Sequence, residues 1–181
     1  MAKVLDAIDD RLARFIAKQR VFFVATAPTE GHVNLSPKGM DCFRVVGPNE
    51  VAYLDVTGSG AETIAHLRAD GRITFMFMAL DGGPMILRLY GQGRVVEPVH
   101  AEWDAWQGRF PAFTGTRSVI VAAIHRVATS CGFGVPVYRY ERERPTLEEW
   151  AQKQGEEGLA AYRRETNGVS IDGLPTELLV E

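Results

Sequence analysis

The residues best suited to hold a phosphate-bearing ligand crowd into one stretch, HVNLSPKGMDCFRVVGPNEVAYLDVTGSGAETIAHL, from His32 to Leu67. Period-two alternation puts Asn34, Ser36 and Lys38 on one face of a strand. Lys38 is a compact cation suited to a phosphate oxygen. Pro37 has no amide to donate, which marks this segment as an edge strand or a bulge. Farther on, Thr57-Gly58-Ser59-Gly60 runs straight into a predicted helix. Free amides and the positive end of the helix dipole attract anions there, and the glycines let the backbone approach closely. Arg88 stands in the apolar run ILRLYG, where a guanidinium calls for an anionic partner. Each signal also has an ordinary explanation. Ser59 or Gly60 can simply cap a helix, Lys38-Gly39 can be a hairpin turn, Arg88 can pair on an exposed face, and Glu62 can stabilise a first helical turn. Their order along one short segment is what points to a ligand.

The elements that must position these groups follow from pattern. Apolar residues from Val4 to Ile16 recur at helical spacing and predict a helix over 4–18. VFFVATA (21–27), His32–Pro37, Phe43–Val46 and Val51–Asp55 read as strands separated by turns, and 60–69 as a helix. ITFMFMAL (73–80) is apolar enough for a strand buried on both sides. Residues 85–98 form a long strand whose Gly91 and Gly93 imply a bend or bulge. A helix is predicted over 101–110. Residues 118–130 suit helix or strand by periodicity. Their β-branched content, with the following CGFGVPVYRY, favours a pair of strands around a Gly-Pro corner. Thr146 with Glu149 reads as a capping box opening two helices, 147–153 and 157–166, broken near Gly155. Short strands with a few inserted helices predict an α+β, mainly β protein built on a small antiparallel barrel.

Bulk properties narrow the class. The chain has 181 residues, 46% hydrophobic and 24% charged, with net charge -3 and pI near 5.8. That is ordinary for a globular domain and argues against a general nucleic-acid binder. No apolar run matches a membrane span, and the amphipathic N-terminus carrying Asp6, Asp9 and Asp10 is unlike a secretory signal. His32, His66, His100 and His125 lack metal-ligand spacing. Cys42 and Cys131 form no CxxC pattern, which fits a reducing, cytoplasmic location without a structural disulfide.

At FFVATA, HVNLSPKG, VAYLDVTGSGAETIAHL and GRITFMFMALDGGPMILRLYGQGRVV the chain resembles the pyridoxamine 5′-phosphate oxidase-like, FMN-binding split-barrel flavoproteins. The resemblance implies a six-stranded antiparallel split β-barrel with flanking helices over 1–145, and a helical extension and tail of the same domain over 146–181. It implies a homodimer with FMN at the subunit interface and a small-molecule substrate, with no nucleic acid and no membrane. By position, Asn34, Ser36 and Lys38 match the strand lying along the flavin. Asp55, Val56 and Thr57 match the segment beside the ring and ribityl chain, Ser59, Gly60 and Thr63 the phosphate loop and helix start, and Arg88 a position approaching FMN from the other subunit. The chain departs from the oxidase proper in two places. The arginine-histidine-aspartate motif that grips the substrate phosphate is missing, and Ser59-Gly60-Ala61 stands where the oxidase has Ser-Arg-Lys. The implied activity is therefore an FMN-dependent oxidoreductase acting on a substrate other than pyridoxamine 5′-phosphate. The alternative is a non-catalytic flavin- or haem-binding module. No side chain stands out as a catalytic acid or base.

Overall fold

Alternation of apolar side chains builds the core sheet. In the computed structural model, which describes residues 3–178, β2 (Phe22–Thr26), β6 (Arg72–Met78) and β7 (Ile86–Val96) each bury every second residue. Register aligns these faces: Val24 pairs with Phe75, Phe75 with Leu89, and Leu89 with Val127. The remaining strands are β1 (Lys3–Leu5), β3 (Asn34–Lys38), β4 (Phe43–Gly47), β5 (Glu50–Val56) and β8 (Thr116–Ser130). All neighbours pair antiparallel, in the order β3-β2-β6-β7-β8-β5-β4, with β1 added against β8. β3 and β4 end the sheet without pairing to each other, so the curled sheet stays split. Phe22, Phe43, Tyr53, Phe75 and Phe77 fill its interior, with ring centroids 4.9 to 6.1 Å apart. The helices α1 (Asp10–Lys18), α2 (Glu62–Ala69), α3 (Trp103–Gln107) and α4 (Thr146–Thr166) flank it.

The expected mainly β split barrel is present, with eight strands among the described residues rather than six. β8 resolves the helix-or-strand ambiguity of 118–130. It is flanked by β7 and β5, and its residues from Arg117 to Ala122 are all buried. The bulge expected near the strand glycines falls between Tyr90 and Gly91, where a Cβ on Gly91 would meet Ala123 O at 2.3 Å. Gly155, at φ 65°, breaks the C-terminal helix where expected.

Some expectations fail for identifiable reasons. The predicted helix over 4–18 begins only at Asp10. Asp9 caps it by accepting from Leu12 N at 2.7 Å, while Lys3–Leu5 pair with β8. Local periodicity loses there to capping and strand pairing. The segment after β8 forms no strand pair; residues 131–145 run as an extended, mostly exposed strap. Thr146 lies inside its helix, whose N-cap is Pro145 with no side-chain cap. Residues 1–2 and 179–181 of the expected domain and extension lie outside the described residues.

Candidate functional site

β3 presents Asn34, Ser36 and Lys38 on its inward face, opposite Thr26, Val24 and Phe22. Asn34 Nδ2 donates to Thr63 Oγ1 at 3.2 Å and to Thr26 Oγ1 at 3.4 Å, and Ser36 Oγ donates to Asn34 Oδ1 at 3.2 Å. This ties the start of β3 to the first turn of α2. At the other end of the strand, Lys38 Nζ lies 5.8 Å from the centroid of the Tyr53 ring. The Tyr53 hydroxyl is buried with no hydrogen-bond partner among the described residues. Burial pushes that hydroxyl well above its ordinary pKa.

Asp55 is fully enclosed. It pairs with Arg117 Nε at 2.8 Å and accepts from Ser118 Oγ at 3.3 Å. Burial alone would raise its pKa, but the Arg117 charge, Lys38 and these hydrogen bonds hold the carboxyl below its usual range. Asp55 is therefore an anion that fixes Arg117. Arg117 in turn donates to Gly60 O at 3.2 Å and to Asn167 Oδ1 at 2.6 Å. Val56 is half-buried at the end of β5. Thr57 Oγ1 donates to Gly115 O at 2.8 Å and accepts from Arg163 Nε at 2.8 Å. Asn167 Nδ2 donates to Gly58 O at 3.1 Å. The loop between β5 and α2 is thus held from β8 and from the C-terminal helix together.

That loop leaves donors free. α2 starts after Ala61 with no side-chain cap, Ser59 is exposed, and a Cβ on Gly58 would meet nothing within 4 Å. Arg163 contacts Thr57, Gly115 and Thr116 but has no carboxylate partner among the described residues. Burial first, and the neighbouring Arg117 charge second, lower its pKa. An uncapped helix start, an open glycine loop, a free hydroxyl and an unneutralised guanidinium fit a phosphate.

The structure brings together nine of the expected residues: Asn34, Ser36, Lys38, Asp55, Val56, Thr57, Ser59, Gly60 and Thr63 surround the gap between β3, β5 and α2. Arg88 lies elsewhere. Its register with Met76 and Ala128, opposite in phase to Leu89 and Val127, puts it on the outer face, where it donates to Ser130 Oγ at 3.3 Å. Sequence reasoning missed Arg117, Arg163, Asn167 and Asp172. Arg117, beside the apolar run SVIVAAI opposite Asp55, carries no local signal, and the other three depend on how the C-terminal segment folds back. Asp172 accepts from His32 N at 2.8 Å and lies 2.6 Å from His32 Nδ1, while Ile171 N donates to Glu62 Oε2 at 3.1 Å. The tail therefore folds over the α2 start. Cys42 is a buried thiol pushed up to about 12 by burial, and Cys131 is an exposed free thiol. Among the described residues no cluster of His, Cys, Asp and Glu could hold a metal, and no helix is long and apolar enough to cross a membrane.

Comparison with known proteins agrees with this fold. A family model described as pyridoxamine 5′-phosphate oxidase matches residues 8–131. The pyridoxamine 5′-phosphate oxidase family protein ustO of Aspergillus flavus is 39% identical over 189 aligned positions, spanning 94% of this chain and 76% of that protein. The chain belongs to the pyridoxamine 5′-phosphate oxidase family. Two solved structures share its fold. A candidate pyridoxamine 5′-phosphate oxidase from Lactobacillus delbrueckii superposes with TM-score 0.56 at 15% identity, covering 68% of this chain and 94% of that one. HupZ of Group A Streptococcus superposes with TM-score 0.55 at 21% identity, covering 68% and 99%.

Proposed function

We propose that this chain is an FMN-dependent oxidoreductase that acts on a small molecule and works as a cytoplasmic homodimer with FMN at the subunit interface. The observation that carries the reading is the uncapped start of α2, preceded by Gly58-Ser59-Gly60 and flanked by Arg163, which has no carboxylate partner among the described residues. Ser59, Gly60 and the first amides of α2 hold the phosphate. Arg163 supplies the positive charge that the loop sequence itself lacks. Arg117, neutralised by Asp55, fixes the loop by binding Gly60 O. Asn34 and Ser36, oriented by Thr63 and by each other, line the path along β3, and Lys38 offers a charge near the ring. Arg88, on the outer face, reaches the flavin of the second subunit. Bound FMN supplies the two-electron chemistry, and the protein orients it and tunes it through these donors. Family membership supports a flavin ligand.

Mass identification of the ligand that copurifies tests the proposal, with FMN as the expected result. A deazaflavin or haem in its place would contradict it. The second reading, a non-catalytic flavin-binding module, gains if FMN binds but no nicotinamide or other organic donor reduces it.

A further inference from the structure

At the far end of β3 from α2, the chain encloses a cleft of about 1190 Å3. Its walls are the end of α1, Gly39 and Met40 just beyond Lys38, the turn between β6 and β7, and the strap Tyr138–Arg144. The strap is fastened by Tyr138 N, which donates to Leu80 O at 2.8 Å. Five cationic side chains, Lys18, Arg20, Arg139, Arg142 and Arg144, line the cleft against three carboxylates, Asp81, Glu141 and Glu143. None of the five is ion-paired among the described residues. Two positive charges are thus left over in a chain whose net charge is -3. Two aromatic rings stand beside them. Tyr138 is 61% exposed and Tyr140 47%, and the Arg20 guanidinium sits 5.1 Å from the Tyr140 centroid.

We propose that this cleft is the substrate site, and that it takes a planar organic dianion whose acid groups are carboxylates or phosphate. Guanidinium forks match either acid in bidentate fashion, and an exposed tyrosine face stacks a flat ring. Two unbalanced charges in a partly enclosed cleft select a doubly charged ligand over a neutral one of the same shape. The link to catalysis rests on the flavin reading. A flavin anchored by its phosphate at α2 and running along β3, which spans about 13 Å from Asn34 to Lys38 at the usual strand rise, brings its ring to the cleft mouth. The recognising groups are Arg20, Arg139, Arg142 and the two tyrosines.

Calorimetric titration of the intact protein, loaded with FMN, tests this with four probes. Phthalate has a ring and two carboxylates, phenyl phosphate a ring and a phosphate, benzyl alcohol a ring without charge, and succinate two carboxylates without a ring. Phthalate, phenyl phosphate or both should bind, at least about tenfold more tightly than benzyl alcohol and succinate. Which of the two binds identifies the acid group. The exposed pair Arg139→Glu/Arg142→Glu should weaken that binding by at least about tenfold and leave FMN affinity unchanged. Tyr140→Leu should weaken the ring-bearing probes and leave succinate unaffected. The proposal is overturned if neither dianion binds at roughly 10 mM, where ligands of this size should register. It is also overturned if benzyl alcohol binds equally well, or if the charge reversal has no effect. A chain that binds phthalate but takes up no FMN keeps the cleft as an anion site and refutes its role beside a flavin.

Discussion

Removing the Arg117 guanidinium would leave the Asp55 carboxylate enclosed with Ser118 Oγ as its remaining hydrogen-bond donor. Replacing Arg117 with Met should therefore destabilise the fold by about 3–5 kcal/mol, the cost of breaking a buried pair from one side, as measured by urea unfolding. The same pair sets an acid limb. Asp55 is held below its ordinary 3.8 in the folded chain, so near that pH the unfolded state binds more protons than the folded one. Its contribution is present above the ordinary value and lost as pH falls through the depressed folded value. Asp55→Asn should flatten this part of the stability profile; an unchanged profile would mean that the pair is not the source. Around the ligand, Lys38→Ala and Arg88→Ala should each weaken FMN binding by about 1–3 kcal/mol, the scale of a charge-assisted hydrogen bond, read by flavin fluorescence quenching. Unchanged affinity in both would misplace the site. The ligand-facing residues of β3 and the glycine loop were legible in the sequence because alternation and a helix start are local patterns. Arg117 and Arg163 were not, because a charge reaching the loop from β8 or from α4 leaves no trace in local spacing.

Among the elements, α4 and the tail are where local reading ran out. Gly155 marked the helix break correctly, and irregular chain after 166 was expected, with only the bridge between Val169 and Pro175 added. What this segment does was hidden, because its contacts lie far away in sequence. Arg163 and Asn167 grip the loop after β5, Thr176 Oγ1 donates to Asn167 O at 2.6 Å, and Asp172 holds His32. We infer that 146–181 is an integral extension of the barrel domain, so a chain ending at Pro145 should melt lower and lose FMN. An unchanged melting temperature would show the extension to be separate. The tail contact has its own pH dependence. The hydrogen bond and then the charge of Asp172 raise the His32 pKa above its ordinary 6.5. The charged pair is complete below that value and is lost as pH rises through the raised one. Hydrogen exchange in residues 168–176 should therefore speed up across that rise, beyond the intrinsic pH dependence of exchange. Asp172→Asn should abolish the extra acceleration.

For the whole molecule, the order of strands was legible from the turns and from strand lengths, while the eighth strand and the exposed strap 131–145 were not. Lys3–Leu5 were masked by helical periodicity, and the β-rich look of VPVYRY carried no information on whether a partner strand was available. The outer face of the sheet, around Arg88, Met76 and Phe23, continues to Leu35, which is 62% exposed. In the proposed homodimer this face is covered. Sedimentation should give a dimer for the native chain and a monomer with weakened FMN binding for Leu35→Asp; a monomeric native chain would remove Arg88 from the site. The central claim is that the α2 start and the β3 face hold FMN. The most direct measurement is the visible absorbance of the purified protein after incubation with FMN and removal of free ligand. The structure predicts retained yellow flavin absorbance at one FMN per chain, lost on charge reversal at Arg163. A colourless protein that takes up no FMN would contradict the account.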